Sequence, residues 1–193
     1  MNLSFWNIVF LVGFIVYACI RGVFEERAKG NEIRDDRMDT LEKLLLVLMA
    51  PGSLLLPLLY LFTHWLSFAD YHLPVIAQPA GAVIMIAALW IFYRSHADLG
   101  KNWSVTLKVR EGHKLVTNGI YRSIRHPMYL AIWLFSLAQG LMLENWLAGW
   151  YSIVAFAVMY FVRIPREEKM MYDAFGDEYW EYVERTGRVL PRR

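Results

Sequence analysis

Two polar blocks carry the residue types that could do chemistry in this chain. The first runs Gly119-Ile-Tyr-Arg-Ser-Ile-Arg-His-Pro-Met-Tyr129. The second runs Arg163-Ile-Pro-Arg-Glu-Glu168 and continues to Phe175-Gly-Asp-Glu-Tyr179. Between them lie two apolar segments, each long enough to cross a bilayer, so a chain that leaves one block returns to the same membrane face at the other. The blocks together offer the guanidiniums of Arg125 and Arg163, the imidazole of His126, the carboxylates of Glu167 and Glu168, and the phenols of Tyr121 and Tyr129. A carboxylate in such a set can hold a cationic group, and a guanidinium can hold a carboxylate. Each residue also has an ordinary reading. Arg125-His126-Pro127 suits an interfacial anchor and helix cap, Arg163 and Arg166 suit membrane-flanking cations, and Glu167-Glu168 suits a solvated helix face. The ordinary readings do not require two separated blocks to converge on one membrane face, and that convergence favours a site.

The elements that position the blocks are membrane spans. The chain has 193 residues, 57% hydrophobic and 16% aromatic, with a mean hydropathy of +0.30, too apolar for an ordinary soluble domain. Runs of about 20 apolar residues mark spanning helices, and they place five spans near residues 5–20, 44–68, 75–93, 127–143 and 146–162. The first has no basic leader and no small-residue cleavage site and reads as a retained span. Pro51 and Pro57 should kink the second. Asp39 or Thr40 is placed to cap its start. All twenty Lys and Arg residues fall in three of the polar segments, six between spans one and two, seven between three and four, and seven after five. The connections around Asp70 and Glu144 have none, so the positive-inside rule puts the N-terminus outside and the C-terminus in the cytoplasm. The expected fold is an all-α, polytopic membrane bundle of five helices, a single domain over residues 1–193 with a cytoplasmic C-terminal helical segment.

The spread of basic residues over membrane-flanking loops leaves no compact patch for nucleic acid; contact with anionic membrane lipid accounts for most of them. One cysteine, Cys19, excludes a disulfide framework or a cysteine metal site, and no metal is expected. No Rossmann glycine fingerprint is present. Residues 24–40 read as a charged surface turn and helix. Residues 103–109 alternate apolar and polar like a short strand. Beyond Val162 the helical pattern continues, with Arg163, Glu167, Met170 or Met171, and Ala174 on one face, until Gly176 stops it. Tyr179, Tyr182 and Val183 begin a second short amphipathic element.

On these residues the chain resembles the isoprenylcysteine carboxyl methyltransferases. The resemblance rests on Gly119-Ile-Tyr-x-x-x-Arg125-His-Pro-x-Tyr129, then on Arg163-x-x-x-Glu167-Glu168 and Phe175-Gly-Asp-Glu-Tyr179 after the hairpin. Leu99-Gly-x-Asn-Trp-Ser104 and His113-x-Leu-Val116 fit as well. It covers residues 98–191, and the five-span length is similar to the compact prokaryotic, archaeal-type members. Arg-His-Pro-x-Tyr also occurs in membrane phospholipid N-methyltransferases and sterol reductases; the Glu-Glu block narrows the choice. The resemblance implies S-adenosylmethionine as cofactor, in a pocket built by the ends of spans four and five and the C-terminal segment. The implied methyl acceptor is the carboxylate of a prenylated cysteine or a similar lipophilic acid.

Methyl transfer from a sulfonium is an in-line displacement that needs alignment and a dry site. A carboxylate nucleophile, with an ordinary pKa of about 4, is already ionised and needs no strong base. The implied roles are therefore those of clamps. Glu167 would hold the cofactor's amino group or sulfonium, with Glu168 beside it. Arg163 would hold the carboxylate of substrate or cofactor, or pair with Glu167. Arg125 and His126 would contact the same polar end, and Gly119 and Pro127 belong with them to the implied cofactor-binding set. Tyr121 and Tyr129 would bound the adenine or the methyl channel, and His113, Leu115 and Val116 would wall the adenine. A prenyl chain would enter from lipid beside spans two to four. A phospholipid N-methyltransferase, a nicotinamide-dependent membrane reductase and a non-enzymatic membrane protein are the competing readings.

Overall fold

The structure is a computed structural model that describes residues 4–28, 33–36, 39–100, 108–110 and 115–192. Among the described residues the α-helices are α1 (Phe5–Ala28), α2 (Thr40–Ala50), α3 (Leu56–Phe62), α4 (Ala77–Leu99), α5 (Pro127–Leu143), α6 (Trp146–Phe175) and α7 (Asp177–Arg185). The expected all-α bundle is observed, with one addition. Strands β1 (Ile33–Asp36) and β2 (Lys108–Arg110) pair antiparallel. The segment expected to form a surface turn and helix thus contributes a strand. The alternating stretch contributes β2 at its end, while residues 103–107 lie outside the described set.

Among the described residues, four helical segments are long and apolar enough to cross a membrane: Phe5–Arg27, Thr40–Phe62, Ala77–Leu99 and Trp146–Phe175. Helix α5 has 17 residues, a length of about 25 Å, slightly short of a hydrocarbon core. Large apolar side chains such as Val83, Ile86, Val154 and Phe161 stay exposed on the bundle's outside, as lipid contact requires. The second span differs from its expected limits. It starts at Thr40, capped by the Asp39 side chain, which accepts from the Glu42 N–H at 2.9 Å. It ends at Phe62, six residues early, where Thr63 turns into extended backbone.

The kink expected at Pro51 and Pro57 takes the form of a π-turn over Pro51–Leu55, joining α2 to α3. In a π register the residue at 57 would donate to Gly52, but proline has no N–H. The buried Gln139 on α5 replaces that donor. Its amide nitrogen donates to the Gly52 carbonyl at 3.0 Å and to the Ala148 carbonyl at 2.6 Å. Gly52 also has to be glycine for packing, because a Cβ there would lie 2.6 Å from the Tyr151 ring and 2.9 Å from the Ser152 Cα.

The bundle is pinned at the end away from the two polar blocks. Buried Asn145 caps α6 by accepting from the Leu147 and Ala148 N–H groups, and its amide donates to the Leu66 carbonyl and to Asp70. Helices α4 and α5 pack along their lengths around Phe10, Met85, Ala88, Phe135, Ala138 and Met142. A second apolar cluster, Leu45, Tyr129, Phe156, Met159 and Ile164, joins α2, α5 and α6 beneath the polar blocks. Helix α6 continues 13 residues past the apolar stretch that ends at Val162, and these carry Arg163, Arg166, Glu167, Glu168 and Lys169 out of the span.

Candidate active site

The sequence returns the start of α5 and the extension of α6 to one end of the bundle, and a cavity of about 580 Å³ opens there. Its walls come from α1, α2, the π-turn, α4, α5, α6 and α7. One part is polar, with Arg125, His126, Tyr129, Arg163 and Glu167; the other is apolar, with Phe14, Ala18, Leu46, Met49, Leu54 and Ile132.

Adjacent residues Glu167 and Glu168 do different things. Glu167 lines the cavity and accepts a 2.6 Å hydrogen bond from the buried Tyr129 hydroxyl. Glu168 faces away from it, into a cluster of cations. Arg125 reaches its Oε1 at 3.3 and 3.2 Å. Arg188 reaches Oε1 at 3.1 Å and Oε2 at 2.7 Å. The His126 Nε2 stands 3.4 Å from Oε1. Burial alone would raise the Glu168 carboxyl, but the hydrogen bonds from His126 and Arg188 and the charges behind them outweigh it, holding it at about 2. The same contacts push Arg188 up from its ordinary value.

That cluster fastens the C-terminal segment across the site. Arg125 also donates to the carbonyls of Val183 and Thr186. The backbone N–H groups of Arg125 and His126 donate to Gly187 and Arg188 at 2.8 Å each, and Gly187 donates back to Ser123 at 3.1 Å. The Tyr182 hydroxyl donates to the Tyr121 carbonyl at 2.7 Å, and Tyr121 donates to the Ser95 carbonyl at 3.2 Å. Burial pushes the Tyr182 phenol up to about 12, so it remains a neutral donor.

Of the expected site residues, Leu115, Val116, Tyr121, Arg125, His126, Tyr129, Arg163 and Glu167 line the cavity. Gly119, Pro127 and Glu168 do not line it. Gly119 adopts φ +56°, and a Cβ there would lie 2.2 Å from Asp98 Oδ2. That same oxygen accepts from the Ile120 N–H at 2.8 Å, tying the loop to the end of α4. Pro127 opens α5 at its first turn. His113 lies outside the described residues.

Sequence reasoning missed other contributors. Tyr17 and Arg21 of α1 and His96 of α4 line the cavity, so span one is part of it, along with spans two to four. Glu42, on the first turn of α2, is fully buried and pairs with Arg163 at 3.3 Å. Arg188, counted only as a topology-setting cation, holds Glu168. Tyr17, Arg21 and Glu42 sit far from both motifs in sequence, and only the helix packing brings them in.

Comparison with known proteins bears on this arrangement. Residues 81–173, which include both α5 and the Glu-Glu block, match the model of the isoprenylcysteine carboxyl methyltransferase (ICMT) family. The chain is 31% identical over 156 residues to protein-S-isoprenylcysteine O-methyltransferase A of Arabidopsis thaliana, covering 72% of this chain and 77% of that one. The chain belongs to the isoprenylcysteine carboxyl methyltransferase family. The B enzyme of the same plant is 37% identical over 98 residues, 48% of each chain. Among solved structures, a eukaryotic intramembrane Ras methyltransferase, also an isoprenylcysteine carboxyl methyltransferase, has a similar fold. It superposes with a TM-score of 0.53 at 23% identity, covering 80% of this chain and 54% of that one. As a member of this family the chain is a membrane methyltransferase, and the cavity joins the polar residues of its two motifs.

Proposed function

We propose that the protein transfers the methyl group of S-adenosylmethionine to the carboxylate of a prenylated cysteine or a similar lipid-like acid. The observation that carries the reading is the two-part cavity, in which Glu167 and Arg163 lie at one end and a wall of apolar side chains at the other. Its volume falls within the roughly 300–1,000 Å³ of small-molecule sites. Glu167 offers a carboxylate to the donor's cationic part, and Leu115, Val116 and Tyr121 offer apolar and aromatic surface to its base. When bound, S-adenosylmethionine supplies a methyl group on a positively charged sulfur.

Arg163 orients the acceptor carboxylate, which is already ionised and needs no proton removed. Tyr129 fixes the Glu167 carboxylate from below. The C-terminal segment, fastened through Arg125, Glu168 and Arg188, covers the polar end and keeps water out. Helix α1 packs on α4 and α5, whereas α2 packs on α6. The two therefore flank the cavity from different sides, and a prenyl chain enters from lipid between them along Phe14, Ala18, Leu46 and Leu54. The reading takes the whole chain as one domain of five spans, α5 included, with the N-terminus outside and the site at the cytoplasmic face. The charge distribution supports that orientation.

The test is methyl transfer from isotope-labelled S-adenosylmethionine to a farnesylated cysteine derivative. The product should release labelled methanol in base, and Glu167→Gln should abolish it while leaving the fold intact. A base-stable methyl product would place the acceptor atom on nitrogen. An active Glu167→Gln enzyme would remove the role given to Glu167.

A further inference from the structure

The function proposed above gives no task to Arg21 of α1, although it lines the cavity. Among the described residues the cavity wall carries three guanidiniums, those of Arg21, Arg125 and Arg163, and one carboxylate, that of Glu167. The three cations differ in how their charge is compensated. Arg125 is buried against Glu168 at 3.2 Å, and Arg163 is buried against Glu42 at 3.3 Å. Arg21 faces Glu25 on its own helix at 4.0 Å, with side chains 41% and 48% exposed. A surface pair of this kind binds its partners weakly, so Arg21 exchanges Glu25 for another anion at small cost.

Its place indicates which anion. Phe14, Tyr17, Ala18 and Arg21 all line the cavity, and their spacing of three and four residues puts them on one face of α1. That face is apolar at Phe14 and Ala18 and cationic one turn further on. Arg21 lies about 24 Å along the helix axis from Phe5, where α1 begins. A hydrocarbon core is about 30 Å thick, and a guanidinium on its long stem reaches toward the nearer boundary. On the proposed orientation the Arg21 charge therefore stands at the depth of the cytoplasmic lipid headgroups. An amphiphilic acid dissolved in that leaflet has its carboxylate at the same depth and its tail below. With the tail laid along Phe14 and Ala18, the head of such an acid meets Arg21.

We propose that Arg21 is a specificity-determining residue that receives the acceptor's carboxylate at the mouth between α1 and α2, before it passes inward to Arg163. The inference rests on the function proposed above and deepens it. Charge is read at the mouth, so acids are taken from the membrane in preference to neutral lipids of the same tail. The methyl ester carries no charge on that group, and the product leaves without being held there.

The test is calorimetric binding of a farnesylated cysteine derivative, and separately of its methyl ester, to the full chain in detergent micelles without methyl donor. Arg21→Gln should bind the acid about tenfold more weakly than wild type, the loss expected when a charge-assisted contact is neutralised. It should bind the ester within about threefold of wild type. Arg21→Lys keeps a cation at the mouth and should stay within about threefold for both. In turnover, Arg21→Gln should raise the acceptor KM with kcat at saturation within about threefold, and its affinity for S-adenosylmethionine should match wild type. Equal losses for acid and ester, or no loss for the acid, overturn the proposal. So does a loss of S-adenosylmethionine affinity in place of acid affinity, since Arg21 would then hold the donor. If Arg21→Gln fails to fold, the wild type still decides. Phenylglyoxal labelling of Arg21, read by mass spectrometry, should be slowed by the acid and not by the ester; equal labelling in the two overturns the proposal. A folded wild type that transfers no methyl group from S-adenosylmethionine to the acid would instead overturn the function on which the inference rests.

Discussion

Replacing Glu168 with Gln should loosen the C-terminal segment without touching the cavity wall. The carboxylate is buried and receives two hydrogen bonds from Arg125 and two from Arg188. The Arg125 side chain is 8% exposed and that of Arg188 is 54% exposed. The buried Arg125 contact is worth about 1.5–3 kcal/mol as a hydrogen bond between charged groups. The half-exposed Arg188 contact is screened by water and adds no more than about 1 kcal/mol. Glu168→Gln should therefore cost about 2–4 kcal/mol, a roughly 30- to 1,000-fold larger open population of the segment. Hydrogen exchange in detergent, read on peptides spanning residues 121–129 and 183–190, measures it directly. The amides of Arg125, His126 and Gly187, which bridge the two stretches, should lose protection by that factor. Arg188→Ala should lose tenfold at most.

The same contact sets a pH dependence. Because the Glu168 carboxyl is lowered from an ordinary value of 4.5 to about 2, its stabilisation is fully present above pH 4.5. It is lost progressively as the pH falls through that interval toward 2. The difference in thermal stability between wild type and Glu168→Gln should thus be constant at neutral pH and narrow in acid. Unchanged protection in Glu168→Gln, or a loss no greater than that of Arg188→Ala, would refute the view that this carboxylate fastens the segment.

Gly119→Ala should destabilise the protein by about 1–3 kcal/mol, because the residue has φ +56° and a Cβ would strike Asp98; thermal unfolding checks it, and pairing it with Asp98→Ala should remove the steric part. Gln139→Leu should cost about 2–4 kcal/mol by leaving the buried Gly52 and Ala148 carbonyls without their donor, again read by thermal unfolding. Tyr129→Phe removes the hydrogen bond to Glu167 while keeping the ring's packing against Phe156 and Tyr160. It should weaken S-adenosylmethionine binding by about tenfold with little change in stability, measured by calorimetry.

How much of this was legible depended on the range of the interaction. The apolar helices were, because runs of apolar residues are local signals; among the described residues four are long enough to cross a membrane and α5 is shorter, and limits moved, as where Thr63 ends the second at Phe62. The strand β1 was not, since residues 33–36 acquire their pairing from β2, more than seventy positions away. The two motifs located the polar end of the cavity, but Glu42 reads locally as an ordinary acidic residue in a helix's first turn. Nothing in its neighbourhood announces that α2 will deliver it to Arg163. Likewise the π-turn was foreshadowed by two prolines, but not the amide of Gln139 that makes it tolerable.

The Glu-Glu pair shows where a motif stops and geometry begins. In a helix of 3.6 residues per turn, successive side chains point about 100° apart, and of this pair Glu167 lines the cavity while Glu168 does not. The destination of each decides its role. Glu168 meets His126 and the guanidiniums of Arg125 and Arg188, and its charge is spent holding the chain together. Glu167 meets only the Tyr129 hydroxyl among the hydrogen bonds described, which orients a carboxylate without neutralising it. On the function proposed above, Glu167 would face the cationic methyl donor from the cavity wall, and Glu168 would hold the C-terminal segment over it.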